Sequence, residues 1–438
     1  METGRPRFER KEAAISATPY VYLPLDIPAF TVEVCHREAV RGDMLQQALL
    51  RTLRRMPYLS DTFEVEKGRV YYATNPLPME AAHTREIRRV GSRETNYHML
   101  DLTWDGNTTW FTMYHGFCDG QGMNMFMESV LYHYYCIRDG KDYEAGGIRT
   151  DREKMTDAET IEPLAGTYAV SPDYVLPGKG EEQAPFHLPE ITPTRSVEVF
   201  DFGIGVDTGE FMTFVRNLGT SPAVAFSMLT GEAILRRHPD HTAPVRAVIP
   251  MSVRRMLGCG ETFKNCSHRS VLPLTGKETD RLPFAERAAA LRSMLKAQMH
   301  PDRVRSLVNR LGERHRKRVE AAEDYREEIR RPAGILEMCH DTFYLDYIGS
   351  LRPTEYAGKI TDVRFLCVPS GGNTLHLNVI EQDGTFRMDA LSCQDIAPLA
   401  EELEEVMRSH GLKPRAVSPR RFTLTCTAWR DGMDFDGK

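Results

Sequence analysis

Tyr114–Gly122 reads YHGFCDGQG and stands between two segments of different period. Before it, TTWFTMYH alternates, with Trp110, Thr112 and Tyr114 on one face and Phe111, Met113 and His115 on the other, which predicts a strand. After it, MNMFMESVLYHYY places Phe126, Val130, Leu131 and Tyr134 at helical spacing. The stretch is therefore a strand-to-helix junction. It carries an imidazole at the strand end, a carboxylate four residues on, and glycines at 120 and 122 that let the backbone turn sharply. A capped turn would use Asp119 as a helix N-cap and bury His115 in the core. A catalytic loop would instead present His115 as a general base, with one ring nitrogen held so that the tautomer is fixed. Asp119 then has two possible jobs: to orient His115, or to turn away and pair with an arginine that holds the loop.

Outward from the junction, strand and helix alternate in both halves. PAFTVEVCHREAV predicts a strand with Phe30, Val32 and Val34 on one face, and Arg41–Arg55 an amphipathic helix burying Met44, Leu49, Leu50 and Leu53. A further strand is predicted over Arg69–Ala73. From about Arg138 to Thr194 the pattern gives way to Gly, Pro and charge, which reads as a crossover holding at most a short helix. The chain then restarts. RSVEVFDFGI is strand-like, with DFGIG at 201–205 as a strand-turn, and a helix follows with Ser221 as N-cap and Pro222 at its first position. APVRAVIPMSVRR predicts another strand, and Thr279–Pro332 a long arginine-rich helical region. Asp362–Leu366, Leu375–Ile380 and Thr385–Leu391 read as strands, and Ile396–His410 as a late helix. The expected fold is α/β or α+β in two related lobes: residues 1–165 with the junction, a linker over 166–194, and a second lobe over 195–438.

At 438 residues, the chain is too long for one ordinary core and long enough for two lobes. A formal charge of -6 gives no global reason to expect nucleic acid or an anionic membrane as partner. The polar start METGRPRFERKEAA has no apolar signal region, and no apolar run approaches the roughly 20 residues of a membrane span. The nine cysteines carry no CxxC spacing, which fits reduced thiols and a cytoplasmic location. Cys118, inside the junction, reads more readily as a small hydrophobe than as a nucleophile. Cys259, Cys266 and His268 match no zinc spacing, so no metal is expected. The arginines of 287–331 alternate with glutamates at i±3 and i±4, the pattern of a solvated helix face; a dock for a phosphate group or an acidic protein is the alternative.

The H-x-x-x-D-G of HGFCDG at 115–120, a quarter of the way along a chain that restarts, resembles the CoA-dependent acyltransferase superfamily. That group includes chloramphenicol acetyltransferase, condensation domains of nonribosomal peptide synthesis and alcohol acetyltransferases. IPMSVRR at 249–255 is similar to the P-V-N-x-R stretch of the bacterial alcohol acetyltransferase-like members, and TFKN at 262–265 follows at the expected interval. FYLDYIGSLRPTEYAGKITDVRF is similar to the segment those proteins write as S-N-x-G followed by a strand. Two departures stand out. The first of the usual histidine pair is Tyr114, and the asparagine of S-N-x-G is replaced at Asp346 or Tyr347.

The resemblance implies a chloramphenicol acetyltransferase-like fold, each lobe a mixed sheet covered by helices, with a tunnel between the lobes. It implies His115 as general base, with Asp119 and Gly120 completing the motif, and Arg254 as the structural partner of Asp119, though Arg255 is adjacent. Thr262 or Asn265 would contact the oxyanion or substrate. No bound cofactor is implied. An acyl-CoA or acyl-phosphopantetheine would be co-substrate, possibly on an acyl carrier protein, and a small-molecule hydroxyl or amine the acceptor. The alternative is a non-catalytic or carrier-docking condensation-like module.

Overall fold

The computed structural model describes residues 6–17, 29–66, 69–177, 183–191, 198–275, 282–321, 341–352, 354–367 and 375–423. Strands β1 (Glu9–Ala13), β3 (Thr62–Glu66) and β4 (Arg69–Thr74) form a small antiparallel sheet in the order β1-β4-β3. A five-stranded sheet holds β2 (Ala29–His36), β5 (Ala81–His83), β6 (Leu100–Asp105) and β7 (Thr108–Tyr114). Its fifth member, at the β2 edge, is β12 (Ile360–Leu366), lent by the far half of the chain. A lobe is thus not one continuous segment.

Helices α1 (Gly42–Arg55) and α2 (Gly120–Asp139) pack together on this sheet. In α2 the four anticipated positions Phe126, Val130, Leu131 and Tyr134 are all buried. In α1 the buried stripe is Leu45, Ala48, Leu49 and Thr52, with Met44 and Leu53 only partly covered. Leu50 is 49% exposed, contrary to expectation, because it lies about 100° round the helix from Leu49. A methionine and three leucines suggest a stripe; Leu45, an alanine and a threonine, whose hydroxyl meets Ser129 Oγ at 3.1 Å, complete the real one around Leu49.

The second lobe is a seven-stranded mixed sheet of β8 (Glu198–Asp207), β9 (Arg246–Ser252), β10 (Ser267–Pro273), β11 (Phe343–Ser350), β13 (Leu375–Gln382), β14 (Thr385–Ser392) and β15 (Arg415–Thr423). Their order is β10-β9-β11-β13-β14-β8-β15, with β11 parallel to both β9 and β13. One face packs on α3 (Thr208–Asn217), α4 (Pro222–Arg237), α6 (Phe284–Gln298) and α8 (Ala397–Ser409). The restart therefore has two helices after its strand. Ser221 precedes Pro222 as expected, but its side chain makes no cap bond. DFGIG lies inside β8, not at a turn. A short helix, α5 (Arg254–Leu257), follows β9.

The arginine-rich region is broken. Helix α6 ends at Gln298, and α7 (Pro301–Ala321) starts after the two residues preceding Pro301, where the proline ring disfavours continued helix. Residues 279–281 and 322–332, including REEIRR at 326–331, lie outside the described residues. Among its described residues the crossover holds a single 3₁₀ turn, Asp157–Thr160, closed by a capping box of Thr156 and Glu159.

The sheet faces that meet between the lobes are joined by charge. Glu33 (β2), Asp362 (β12), Asp201 (β8) and Asp389 (β14) gather around Arg364, Arg387 and Arg420. Arg420 bridges Glu33 at 2.9 Å and Asp201 at 3.2 Å, and Arg387 bridges Asp389 at 2.7 Å and Asp362 at 3.1 Å. Each of these two arginines ties one sheet to the other.

Candidate active site

His115 directly follows β7, whose alternation turns Phe111 and Met113 into the first core and delivers the imidazole to the strand's end. The edge of one ring faces the other between Phe30 of β2 and His115, with centroids 5.2 Å apart. Four residues on, Asp119 caps α2 by accepting from the Gly122 N–H at 3.1 Å. The capped-turn feature is therefore present, yet it uses one lone pair of four.

The rest of Asp119 turns to the second lobe. Arg254 donates Nη1 to Oδ2 and Nη2 to Oδ1, both at 2.7 Å, and the Cys266 N–H donates to Oδ2 at 2.9 Å. Arg254 also donates Nε to the Thr262 carbonyl at 2.9 Å and Nη2 to the Lys264 carbonyl at 2.7 Å. It is 1% exposed and Asp119 5%. Burial opposes the Arg254 charge, but the Asp119 carboxylate more than offsets it and its pKa rises. A fork–fork pair of this kind fixes orientation as well as charge. Of the two neighbouring arginines, Arg254 is the one in the pair.

The segment from Cys259 to Cys266 forms the wall opposite the junction, closed at its base by the Val253 N–H to the Cys266 carbonyl at 3.0 Å. Asn265 donates Nδ2 to the His115 carbonyl at 3.3 Å and lies 3.4 Å from its Nδ1. Its Oδ1 accepts from the Ser267 N–H at 3.0 Å, so the amide cannot flip without losing both backbone bonds. Asn265 thus holds the backbone that carries the imidazole. Thr262 does not reach the site. It is fully buried, and its hydroxyl donates to the Ile161 carbonyl at 2.7 Å, which removes it as an oxyanion donor.

Gly120 also departs from expectation. A Cβ there would meet nothing within 4 Å, whereas at Gly122 it would lie 2.2 Å from the Phe263 carbonyl oxygen. Close approach is needed at Gly122, two residues beyond the motif. Cys118 is buried, with its thiol 3.0 Å from the Asp119 carbonyl, and behaves as a filler of the turn.

Sequence reasoning did not find what holds the wall from behind. Glu159 of the crossover accepts from Arg55 at 2.9 and 3.0 Å and from the Tyr58 hydroxyl at 2.7 Å. Arg149 links Tyr58 to Glu261, and the Tyr58 ring stacks on Phe263 with centroids 4.7 Å apart. Burial pushes the Tyr58 phenol up. These partners are about 90 to 110 residues apart in the chain for the polar contacts, and periodicity carries no signal of such pairing.

No family model matches the chain, and no curated protein matches it by sequence. Solved structures do. Polyketide synthase associated protein 5 from Mycobacterium tuberculosis superimposes with TM-score 0.59 at 15% identity, over 92% of this chain and 98% of that one. TRI101 of F. sporotrichioides, complexed with coenzyme A and T-2, gives TM-score 0.61 at 12% identity over 94% and 100%. The first condensation domain of the CDA synthetase gives 0.54 at 15% over 93% and 96%. At such identities the likeness speaks for architecture, and it extends over both lobes. The chain adopts the two-lobed chloramphenicol acetyltransferase-like fold that these structures share with condensation domains.

Proposed function

We propose that this protein is an acyltransferase that moves an acyl group from a CoA or phosphopantetheine thioester to a hydroxyl or amine, with His115 as general base. The observation that carries the reading is the braced junction: His115 at the end of β7, its carbonyl held by Asn265, and Asp119 locked on Arg254 from the other lobe. That arrangement invests a buried ion pair in the position of one imidazole. The solved structure of TRI101 with coenzyme A, at matching fold, favours a CoA thioester as donor.

The acceptor's lone pair attacks the thioester carbonyl while His115 removes the acceptor proton. The carbonyl electrons move to oxygen, and the tetrahedral intermediate collapses to expel the thiolate. The His115 imidazolium returns the proton to sulfur, so ester or amide and free thiol leave and the base is restored. Proton removal of this kind contributes about 10²–10⁴-fold. Holding acceptor and thioester together where the lobes meet supplies the remaining entropic advantage. Asp119 takes no proton in this scheme; its carboxylate is a positioning group. No covalent acyl-protein forms, because the acceptor attacks directly.

The test is thiol release from a panel of acyl-CoAs with hydroxyl and amine acceptors, read together with intact mass of the acceptor. Wild type should acylate at least one acceptor, and His115→Ala should lower turnover by about 10²-fold or more with its melting temperature close to wild type. Equal turnover in the two proteins would overturn the base assignment. Consumption of carrier-bound thioesters alone would move the donor from CoA to a carrier protein.

A further inference from the structure

Three side chains that the proposed reaction does not use meet at the join between the lobes. Asp346 lies on β11 and His376 on the adjacent β13 of the second sheet, while Cys367 directly follows β12 of the first. In the β11–β13 register Tyr344 is opposite His376 and Asp346 opposite Asn378, which makes Asp346 and His376 diagonal neighbours on one face. One carboxylate oxygen, one imidazole nitrogen and the thiol sulfur lie within 4.8 Å of one another. Asp346 Oδ2 and His376 Nε2 are 2.7 Å apart. Asn378 Nδ2 lies 3.4 Å from the Cys367 carbonyl, helping to set where that residue leaves the strand.

An aspartate–histidine pair beside an inert cysteine would explain the 2.7 Å contact alone. It leaves two facts over. His376 is 6% exposed, and its Nδ1 is buried without a hydrogen-bond partner among the described residues. The Cys367 thiol comes from the other sheet to within 4.8 Å of both other donors, a convergence the pair does not use. The aspartate–histidine contact leaves the thiol without a role, and a dication would engage all three donors.

We propose that Asp346, Cys367 and His376 form a transition-metal site, with zinc as the ion the donor set selects. One sulfur, one nitrogen and one oxygen suit borderline-soft zinc and disfavour magnesium and calcium, which take oxygen. Binding converts the thiol to thiolate and releases one proton; carboxylate, thiolate and dication then sum to zero charge in a buried setting. Metal–ligand distances of about 2.0–2.3 Å place tetrahedral ligands roughly 3.3–3.7 Å apart. The aspartate–histidine contact therefore opens and the thiol closes by up to about 1.5 Å. Water takes the fourth position. Because Cys367 follows a strand of the first sheet and the other two ligands stand on the second, the ion would clamp the lobes together.

Cobalt(II) titration of the purified full chain tests this, read by the sulfur-to-cobalt charge-transfer band and the intense visible bands of four-coordinate cobalt. Wild type should take up one equivalent with both signatures, zinc should displace it, and zinc should raise the melting temperature. Cys367→Ser should lose the charge-transfer band, and His376→Gln should weaken cobalt binding at least tenfold. Cys259 and Cys266, with sulfurs 3.6 Å apart, are the competing thiols, so Cys259→Ser/Cys266→Ser should keep the band. Asp346→Asn serves as a second ligand variant if Cys367→Ser does not fold. Absence of the band in wild type, or its survival in Cys367→Ser, would overturn the site.

Discussion

At the scale of single residues, the two glycines of the junction separate what a motif suggests from what space requires. Gly122 lies under the Phe263 carbonyl, and a methyl group there must push apart backbone from two lobes. Overpacking of this kind costs about 1–3 kcal/mol, and here the displaced backbone adjoins Asn265 and hence His115. Gly122→Ala should therefore lower both melting temperature and turnover. Gly120→Ala should leave turnover within about twofold and raise stability by up to about 1 kcal/mol, since alanine is the better helix former. Equal effects at the two positions, measured by thermal melts and initial rates, would refute the assignment. His115 was legible because strand alternation and a helical run bracket it. The contrast between the glycines was not, because it depends on a backbone oxygen 141 positions away in the chain, Phe263 against Gly122.

At the scale of elements, the wall from Cys259 to Cys266 has few regular hydrogen bonds of its own and takes its shape from what it touches. Arg254 gathers the Thr262 and Lys264 carbonyls, Asp119 takes the Cys266 N–H, and the Lys264 ammonium pairs with Glu12 over the Tyr72 ring. Removing one member of the Asp119–Arg254 pair strands a buried charge, at a cost of about 3–5 kcal/mol. Asp119→Ala and Arg254→Ala should each lower the melting temperature and turnover. The double variant should be less destabilised than the sum, with a coupling of about 0.5–3 kcal/mol in denaturant titrations. Strict additivity would mean that the pair is incidental to the wall. The pairing could be anticipated only through the resemblance of IPMSVRR to a second-lobe motif whose final arginine meets the junction aspartate; the residues alone leave Arg254 and Arg255 equivalent. The Glu159–Arg55–Tyr58 cluster behind it could not, since a lone glutamate in a Pro- and Gly-rich crossover looks like any solvated charge.

At the scale of the whole molecule, the two halves are held by crossing strands and by charge. Strand order from sequence alone assigns β12 to its own half; edge pairing with β2 is decided by burial of Val363 and Phe365 in the first core, which no local pattern encodes. Among the described residues the ionic cluster at that seam is unbalanced, with Glu33, Asp201, Asp362 and Asp389 facing Arg364, Arg387 and Arg420. Asp389 bears the imbalance: burial first, and the Asp201 carboxylate second, raise its carboxyl to about 7. A folded-state value above the unfolded one means that the folded chain holds the proton more tightly. The associated stability is full below about pH 4 and is lost as pH rises through about 7. Asp389→Asn keeps an oxygen for the Arg387 Nε donor and leaves three carboxylates for three arginines. Its stability relative to wild type should therefore climb as pH goes from about 5 to about 8, by on the order of a few kcal/mol at most, and its melting temperature with it. Parallel melting curves across that range, with the variant uniformly lower, would show that Asp389 is charged throughout and that the seam tolerates the fourth carboxylate.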